Sequence, residues 1–358
     1  MDVTSLPVPL VQELAKKEHT RVPERYVRPH DENAVLYNNS STTPLPQVPV
    51  IDLSKLLSKD LKVAELERLH LACKEWGFFQ LINHGVNTSL VENVKKDVQE
   101  FFNLPLEQKK KFEQKQGDSE GYGQLFVVSE DQKLDWGDVF YMVTLPQEKR
   151  KPHLFPKLPS TFRDDLETYC VEMKKLAIKI LELMANALTI ETAEMTEHIA
   201  SGTQLMRFNY YPPCIQPELV MGLNHHSDAG GLTILLQAND VEGLQVKKDG
   251  MWIPIKPLSN AFIVNIGDIL EIITNGIYRS IEHRATVNSE KERLSIATFH
   301  SPSMESTFGP APSLITPTAP AMFKPITYEE YLKRFLAREL RGKSFIDTLR
   351  IENENEKS

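Results

Sequence analysis

The chain has 358 residues, with 41 Lys and Arg against 49 Asp and Glu, giving a net charge of -8. A surface with this acidic balance repels nucleic acid and anionic membrane, so neither is expected as a partner. The three cysteines, Cys73, Cys170 and Cys214, form neither a CxxC pair nor a disulfide framework, which fits a reducing, cytoplasmic compartment.

Residues 1–44 are polar and loosely patterned and read as an N-terminal arm, with a short helical stretch at Leu10–Lys17. The start, M-D-V-T-S-L-P-V-P-L, lacks a secretory pattern. No uncharged apolar run reaches the ~20 residues of a membrane span. A first ordered region, 45–195, opens with the strand V-P-V-I-D-L. Helical spacing follows from Lys62 to Trp76, where Leu66, Leu69 and Cys73 share a side. G-F-F-Q-L-I-N-H-G reads as a strand closed by Asn83–Gly85. A second helix is expected over Leu90–Phe102. A long one spans Thr161–Leu188, where Leu166, Tyr169, Met173, Leu176, Ile180 and Leu183 recur at intervals of three and four.

In the region 200–305 the period changes. Q-L-M-R-F-N-Y-Y, G-L-T-I-L-L-Q, G-L-Q-V, W-I-P-I, A-F-I-V-N-I-G-D, Y-R-S-I-E-H-R-A-T-V and R-L-S-I-A-T-F-H are short, rich in β-branched or aromatic residues, and separated by turn formers. Such a series predicts an antiparallel barrel or sandwich. The fold class is therefore mainly β with surrounding helices (α+β), a β-core behind a helical N-terminal region. Residues 306–350 read as a strand and helix lid ending in the helix Tyr328–Leu340, and 351–358 as a charged tail.

Within L-N-H-H-S-D-A-G-G the adjacent histidines raise the question of a metal. Residues two apart on a strand share a face, so His226 and Asp228 point together while His225 points away with Ser227. The third ligand must come from elsewhere. His283, alternating with Ile281, Ala285 and Val287, is the best candidate, with His300 as its competitor. Two histidines and a carboxylate suit non-haem iron and leave positions open for oxygen and a chelating cosubstrate, with zinc as the alternative. In R-L-S-I-A-T-F-H, Arg293, Ser295, Ala297 and Phe299 share a face. An inward arginine needs an anion, either an internal acid or a bound carboxylate, to which Ser295 can add a donor. Asn209 and Tyr211 of N-Y-Y-P-P-C point together, and Tyr211 could donate to the same anion, although the sequence slightly favours an aromatic core residue at a strand end.

The ordered set N-Y-Y-P-P-C, H-S-D-A-G-G-L-T-I-L-L-Q, G-L-Q-V, N-I-G-D, S-I-E-H-R and R-L-S-I-A-T-F resembles the plant 2-oxoglutarate- and Fe(II)-dependent dioxygenase superfamily. The upstream K-E-W-G-F-F-Q-L-I-N-H-G-V and F-F-N-L-P extend the resemblance over residues 46–350. C-K-E-W-G-F-F-Q, E-D-Q-K-L-D-W, R-K-P-H-L-F-P and G-K-S-F-I-D are similar to its alkaloid O-demethylase and senescence-related SRG group.

The resemblance implies a double-stranded β-helix (jelly roll) and iron held by His226, Asp228 and His283. It also implies 2-oxoglutarate held at its distal carboxylate by Arg293 and Ser295 with Tyr211, and near its other end by Asn209. O2 would be the second cosubstrate and ascorbate the reductant in vitro. The expected partner is a small molecule, a plant alkaloid or methoxylated phenolic undergoing O-demethylation or hydroxylation, and the expected state is a monomer. The alternatives are desaturation or hydroxylation of a flavonoid on the same scaffold, and a binding protein without catalysis. Substrate-pocket candidates are Phe299, Tyr122, Leu125, Val127, Tyr141 and Phe308, with Tyr331, Phe335 and Leu336 of the closing helix. One departure is His225, where the family commonly has a small residue or proline.

Overall fold

The computed structural model describes residues 5–17, 21–28, 46–115, 117–124, 127–336 and 343–351. Its frame is an eight-stranded sheet facing a four-stranded one. The major sheet contains β1 (Val50–Asp52), β2 (Phe78–Ile82), β3 (Gly121–Gly123), β4 (Asp138–Leu145), β5 (Thr203–Tyr211), β7 (Leu232–Gln237), β10 (Phe262–Ile266) and β12 (Arg293–Ser301). The minor sheet contains β6 (Leu223–His226), β8 (Leu244–Lys248), β9 (Met251–Pro254) and β11 (His283–Ala285). The orders β1-β2-β10-β7-β12-β5-β4-β3 and β6-β11-β8-β9 are those of a jelly roll whose large sheet is widened at both edges by strands from the first half of the chain.

Alternation decides what each face buries. Met206, Phe208 and Tyr210 of β5, Ile234 and Leu236 of β7, and Leu294 and Ile296 of β12 join one apolar core with the helices behind the sheet. The helix Ser160–Leu188 supplies Leu166, Tyr169, Met173, Ile180 and Leu181, all buried. Each such side chain contributes about 1.5–3 kcal/mol of burial. Between the sheets a second core forms from Val246, Ile253, Ile263, Phe78 and Val48, and the remaining inward positions mix polar side chains with apolar ones such as Ala297 and Phe299.

Several local expectations are refined. The helix from Lys62 ends its regular part at Leu71 and widens over Ala72–Trp76. Gly77 then takes φ +62°, with a Cβ there only 2.1 Å from the Arg279 carbonyl oxygen, so the turn into β2 needs glycine. The helices Thr192–Ala200 and Asp268–Ile273 carried no clear signal, the second because N-I-G-D-I-L-E-I-I reads equally as a continuing strand. Strand pairing in S-I-E-H-R-A-T-V is confined to His283–Ala285. The closing helix is described from Tyr328 to Leu336, and its expected continuation to Leu340 lies outside the described residues.

The first part of the arm is docked rather than loose. Val11, Val22 and Tyr26 pack with Val127, Leu134 and Trp136. The backbone N–H groups of Val11 and Gln12 each donate to the Asp138 carboxylate at 2.8 Å. Burial pushes the Asp138 carboxyl up to about 6, against the lowering effect of those two bonds and of Lys109. The folded value lies above the ~3.9 of an unfolded aspartate, so the fold favours the protonated form. Its contribution is therefore complete below about pH 4 and lost as pH rises through about 6. Measured against Asp138→Asn, whose side chain does not titrate, the wild-type unfolding free energy should fall between roughly pH 4 and 6.5 in urea titrations. A rise across that window would mean that the carboxylate is better held ionised.

Candidate metal and cosubstrate site

His226 ends β6 and His283 begins β11, and the two are cross-strand partners with ring centroids 4.3 Å apart. Asp228 lies two residues beyond His226, on the turn leading to β7. The strand stops at His226, yet the chain stays open enough for Asp228 to share its side. Asp228 Oδ1 is 3.5 Å from Nε2 of each histidine, and one donor atom from each of the three residues lies within 4.8 Å of the others. Gly267 allows this turn to close: a Cβ there would sit 2.2 Å from the Gly230 carbonyl oxygen.

The outward atoms of these groups are tied down. His226 Nδ1 lies 2.7 Å from the Asn224 carbonyl oxygen, and His283 Nδ1 lies 3.2 Å from that of Ile281. An Nδ1–H donating to a carbonyl leaves the Nε2 lone pair available at the shared point. Asp228 Oδ2 accepts from Thr233 Oγ1 at 2.6 Å and from Asn265 Nδ2 at 2.8 Å, which leaves Oδ1 turned toward the imidazoles. Burial opposes charge on Asp228, but the imidazoles of His283 and His226 and the Thr233 hydroxyl hold its carboxyl well below the usual carboxylate range. Burial, followed by the His226 neighbour, pushes His283 down to about 4. A neutral imidazole and an ionised carboxylate are the states that bind a metal.

The neighbouring histidines lie elsewhere. His225 Nδ1 is 3.4 Å from Glu282 Oε1 on the outer side of the minor sheet. Glu282, drawn down to about 2 by the His225 contact and, against the opposing effect of burial, by Lys247, is also paired with Lys247 at 2.6 Å. His300 occupies the opposite face of β12 from Phe299, with Nε2 3.2 Å from Gln204 Nε2 in the helix-backed core.

At the other end of the channel Arg293 is 2 % exposed. Its Nη2 donates to Gln237 Oε1 at 2.8 Å, its guanidinium lies 5.2 Å from the Tyr211 ring centre, and its Nε is buried with no hydrogen-bond partner. Asn209 Nδ2 donates to Ser295 Oγ at 3.3 Å, so the Ser295 hydroxyl proton remains free to donate. Arg293, Tyr211, Asn209 and Ser295 line one channel with the metal-type triad. An orphaned, buried guanidinium atom beside a free hydroxyl donor fits a bound carboxylate, and the donor set facing it fits Fe(II).

A larger cavity of about 640 Å³ meets the triad from the other side, walled by Tyr141, Val143, Leu205, Phe299, Met304, Leu332, Phe335 and Leu336. Four sequence candidates, Tyr122, Val127, Phe308 and Tyr331, lie away from it. Tyr122 pairs with Phe140 on β4, so it faces the helix side and packs on Phe101, 5.9 Å between ring centres. Val127 is enclosed by the docked arm, its carbonyl bonded to the Leu6 N–H at 2.8 Å. Phe308 packs behind the lid against Tyr331 at 5.9 Å. Tyr331 itself is buried and donates to Asp268 Oδ2 at 2.9 Å. Leu125 lies outside the described residues. Sequence reasoning missed Thr233, Asn265, Gln237 and Arg207, although each is a polar residue at an inward position of an otherwise apolar strand.

A jelly roll with two imidazoles and a carboxylate at one end of a channel and a buried arginine at the other defines a non-haem metal oxygenase that takes a dicarboxylate. Residues 202–302 match the 2OG-Fe(II) oxygenase superfamily, and 48–158 match the non-haem dioxygenase in morphine synthesis N-terminal family. The chain is 58 % identical over 349 residues to a flavonoid 7-O-demethylase of Ocimum basilicum, covering 98 % of this chain and 92 % of that one. It is 55 % identical to thebaine 6-O-demethylase of Papaver somniferum, covering 96 % of each. A crystal structure of JOX2 in complex with 2OG, Fe and JA superposes with a TM-score of 0.86 at 35 % identity, covering 97 % of this chain and 99 % of that one. The chain belongs to the 2-oxoglutarate- and Fe(II)-dependent oxygenase superfamily. It is accordingly an Fe(II)- and 2-oxoglutarate-dependent dioxygenase. Among the described residues no helix is long and apolar enough to cross a membrane.

Thr233→Val and Asn265→Leu, each removing one hydrogen bond from Asp228 Oδ2, should weaken metal binding about 10- to 100-fold. Anaerobic titration of the apoprotein with Co(II) reads this directly. Unchanged affinity in both variants would show that Asp228 needs no such anchoring.

Proposed function

We propose that the enzyme oxidises a small, methoxylated aromatic plant metabolite, with O-demethylation as the principal reaction. In this reading His226, Asp228 and His283 hold Fe(II), Arg293 and Ser295 bind the distal carboxylate of 2-oxoglutarate with Tyr211 beside them, and Asn209 lies toward its other end. The observation that carries the reading is the 640 Å³ aromatic- and aliphatic-walled cavity that shares His226 and Asp228 with the inner channel. Its size and lining suit a planar molecule of drug-like dimensions. The two most similar relatives described above are both O-demethylases, one named for a flavonoid and one for an alkaloid.

Bound Fe(II), 2-oxoglutarate and O2 supply oxidative decarboxylation of the cosubstrate coupled to oxidation of a substrate C–H bond. The chain's own part is positioning. Thr233 and Asn265 fix the carboxylate of Asp228, and the two backbone carbonyls fix the imidazoles. Gln237 holds the Arg293 fork, so a carboxylate entering there meets donors already in place. Phe299 lines both channel and cavity, where its ring can set the plane of the substrate. Leu332, Phe335 and Leu336 close the cavity on the lid side and limit water at the reacting carbon. When that carbon is an O-methyl group, its hydroxylated form collapses to phenol and formaldehyde. When it is a ring carbon, the product is an alcohol, so flavonoid hydroxylation or desaturation on the same scaffold is the second reading. Three buried free thiols support a reducing, cytoplasmic setting.

Incubation with Fe(II), 2-oxoglutarate, ascorbate and a panel of methoxylated flavones and alkaloids should release succinate and formaldehyde in equal amounts. Succinate with hydroxylated product and no formaldehyde would select the second reading. Arg293→Leu should raise the 2-oxoglutarate KM about 10- to 100-fold, the loss of a charge-assisted pair, with the substrate KM little changed. His226→Ala should abolish stoichiometric iron, whereas His225→Ala should retain it. The reverse pattern in metal analysis would overturn the ligand assignment.

A further inference from the structure

Arg207 lies on the inward face of β5, between Tyr141 of β4 and Ala297 of β12. It borders both the inner channel and the outer cavity. Its Nε is buried without a hydrogen-bond partner, and among the described residues its guanidinium makes no ion pair.

The acids nearby are already engaged. Asp135 takes Arg28 at 2.7 Å and the Asn224 N–H at 3.1 Å. Asp228 is held by Thr233 and Asn265. Glu120 accepts from the Val143 N–H at 2.7 Å and lies 3.5 Å from Lys151, which also pairs with Asp118. Among the described residues Arg207 thus lies without an ion pair at the inner end of the cavity, beside Tyr141, Leu205 and Phe299, while Asp118, Glu120 and Lys151 of the lining are paired with one another. Arg207 is only partly buried, so its unbonded guanidinium N–H groups are hydrated until a guest enters. A guest that displaces that water is complementary only if it brings an acceptor itself.

We propose that Arg207 is the specificity-determining residue for the substrate, donating to a carbonyl or ionised phenol oxygen of an aromatic guest. The inference rests on the reading of the outer cavity as the substrate pocket. It narrows the substrate class to neutral or anionic oxygen-bearing aromatics at this contact, because an ammonium group placed against Arg207 would meet like charge. The planar fork of Arg207 matches an in-plane oxygen acceptor better than a lysine would. Its place beside Tyr141 and on the strand face of Asn209 puts that contact at the inner end of the pocket, where it fixes which edge of the guest faces the metal.

The test is anaerobic calorimetric titration of the Fe(II)- and 2-oxoglutarate-loaded enzyme with a methoxyflavone and with the corresponding flavan, which lacks the ring carbonyl. The wild type should bind the flavone about 10- to 100-fold more tightly, the range of a hydrogen bond to a charged donor. Arg207→Leu should erase that preference and Arg207→Lys should keep part of it, with 2-oxoglutarate affinity in both variants within about two-fold of wild type. Equal binding of the two probes by the wild type, binding of neither, or a preference that survives Arg207→Leu would overturn the proposal. So would loss of 2-oxoglutarate binding in folded Arg207→Leu, which would assign the residue to the cosubstrate. Should Arg207→Leu fail to fold, the wild-type ratio and the lysine variant decide. An Arg207-dependent preference without formaldehyde release would retire O-demethylation and leave this inference standing.

Discussion

The site depends on strict two-residue alternation in β12, a strand hydrogen-bonded on both sides, to β5 and to β7. Because both edges are paired, it cannot slip by one residue without exchanging its two faces. Leu294, Ile296, Thr298 and His300 then belong to the helix-backed layer, and Arg293, Ser295, Ala297 and Phe299 to the space between the sheets. The partners obey the same register: Tyr211 opposite Arg293, Asn209 opposite Ser295, Arg207 opposite Ala297, and Thr233 opposite Phe299. One register therefore sets the distribution of charge along the channel, with a buried cation at one end and the anchor of Asp228 toward the other.

The minor sheet and the lid are joined to that frame by hydrogen bonds centred on Asp268. Its N–H donates to the Asp228 carbonyl oxygen at 2.8 Å, and its Oδ2 accepts from Ser227 Oγ at 3.2 Å and Tyr331 Oη at 2.9 Å. Burial, opposed by the hydrogen bonds from Tyr331 and Ser227, pushes this carboxyl up to about 6. The turn that carries Asp228 and the helix that carries Leu332 and Phe335 are thus braced by the same side chain. A shift of the helix changes the cavity wall and pulls on the metal-side turn together. This gives a structural reason for the lid helix to bear on chemistry as well as on access.

How much of this was legible from sequence follows from the range of the forces involved. His226 with Asp228, and Arg293 with Ser295, were readable because alternation is local and needs only an extended backbone. Alternation put His283 forward but left His300 as its competitor, since both share a face with apolar residues; the cross-strand pairing of His283 with His226 separates them. Thr233 and Asn265 were missed although they stand out as inward polar residues, because their purpose depends on a carboxylate from another segment. The pocket aromatics were the weakest reading. Tyr122 and Tyr141 come from neighbouring strands, and only the register Gly121 opposite Tyr141 shows that they face opposite ways. The docked arm was missed because its anchor, Asp138, lies 127 residues from Val11, beyond any local pattern.

That contrast has a structural origin. The metal-type triad, Arg293 and Ser295 all come from the jelly roll itself, where period two constrains every position and the chemistry is written in short motifs. Much of the outer cavity wall comes from additions to it: Tyr141 and Val143 on β4, a strand from the first half of the chain added beside β5, and Leu332, Phe335 and Leu336 on the closing helix. Residues there need only be apolar and of suitable size, a requirement that many sequences meet and that leaves little motif behind. Arg207 and Phe299 are exceptions, since they line the cavity from within the jelly roll. A polar group in that position is constrained on one side by the shared catalytic channel and on the other by the guest. It is therefore where the common chemistry and the particular substrate have to be reconciled in a single side chain.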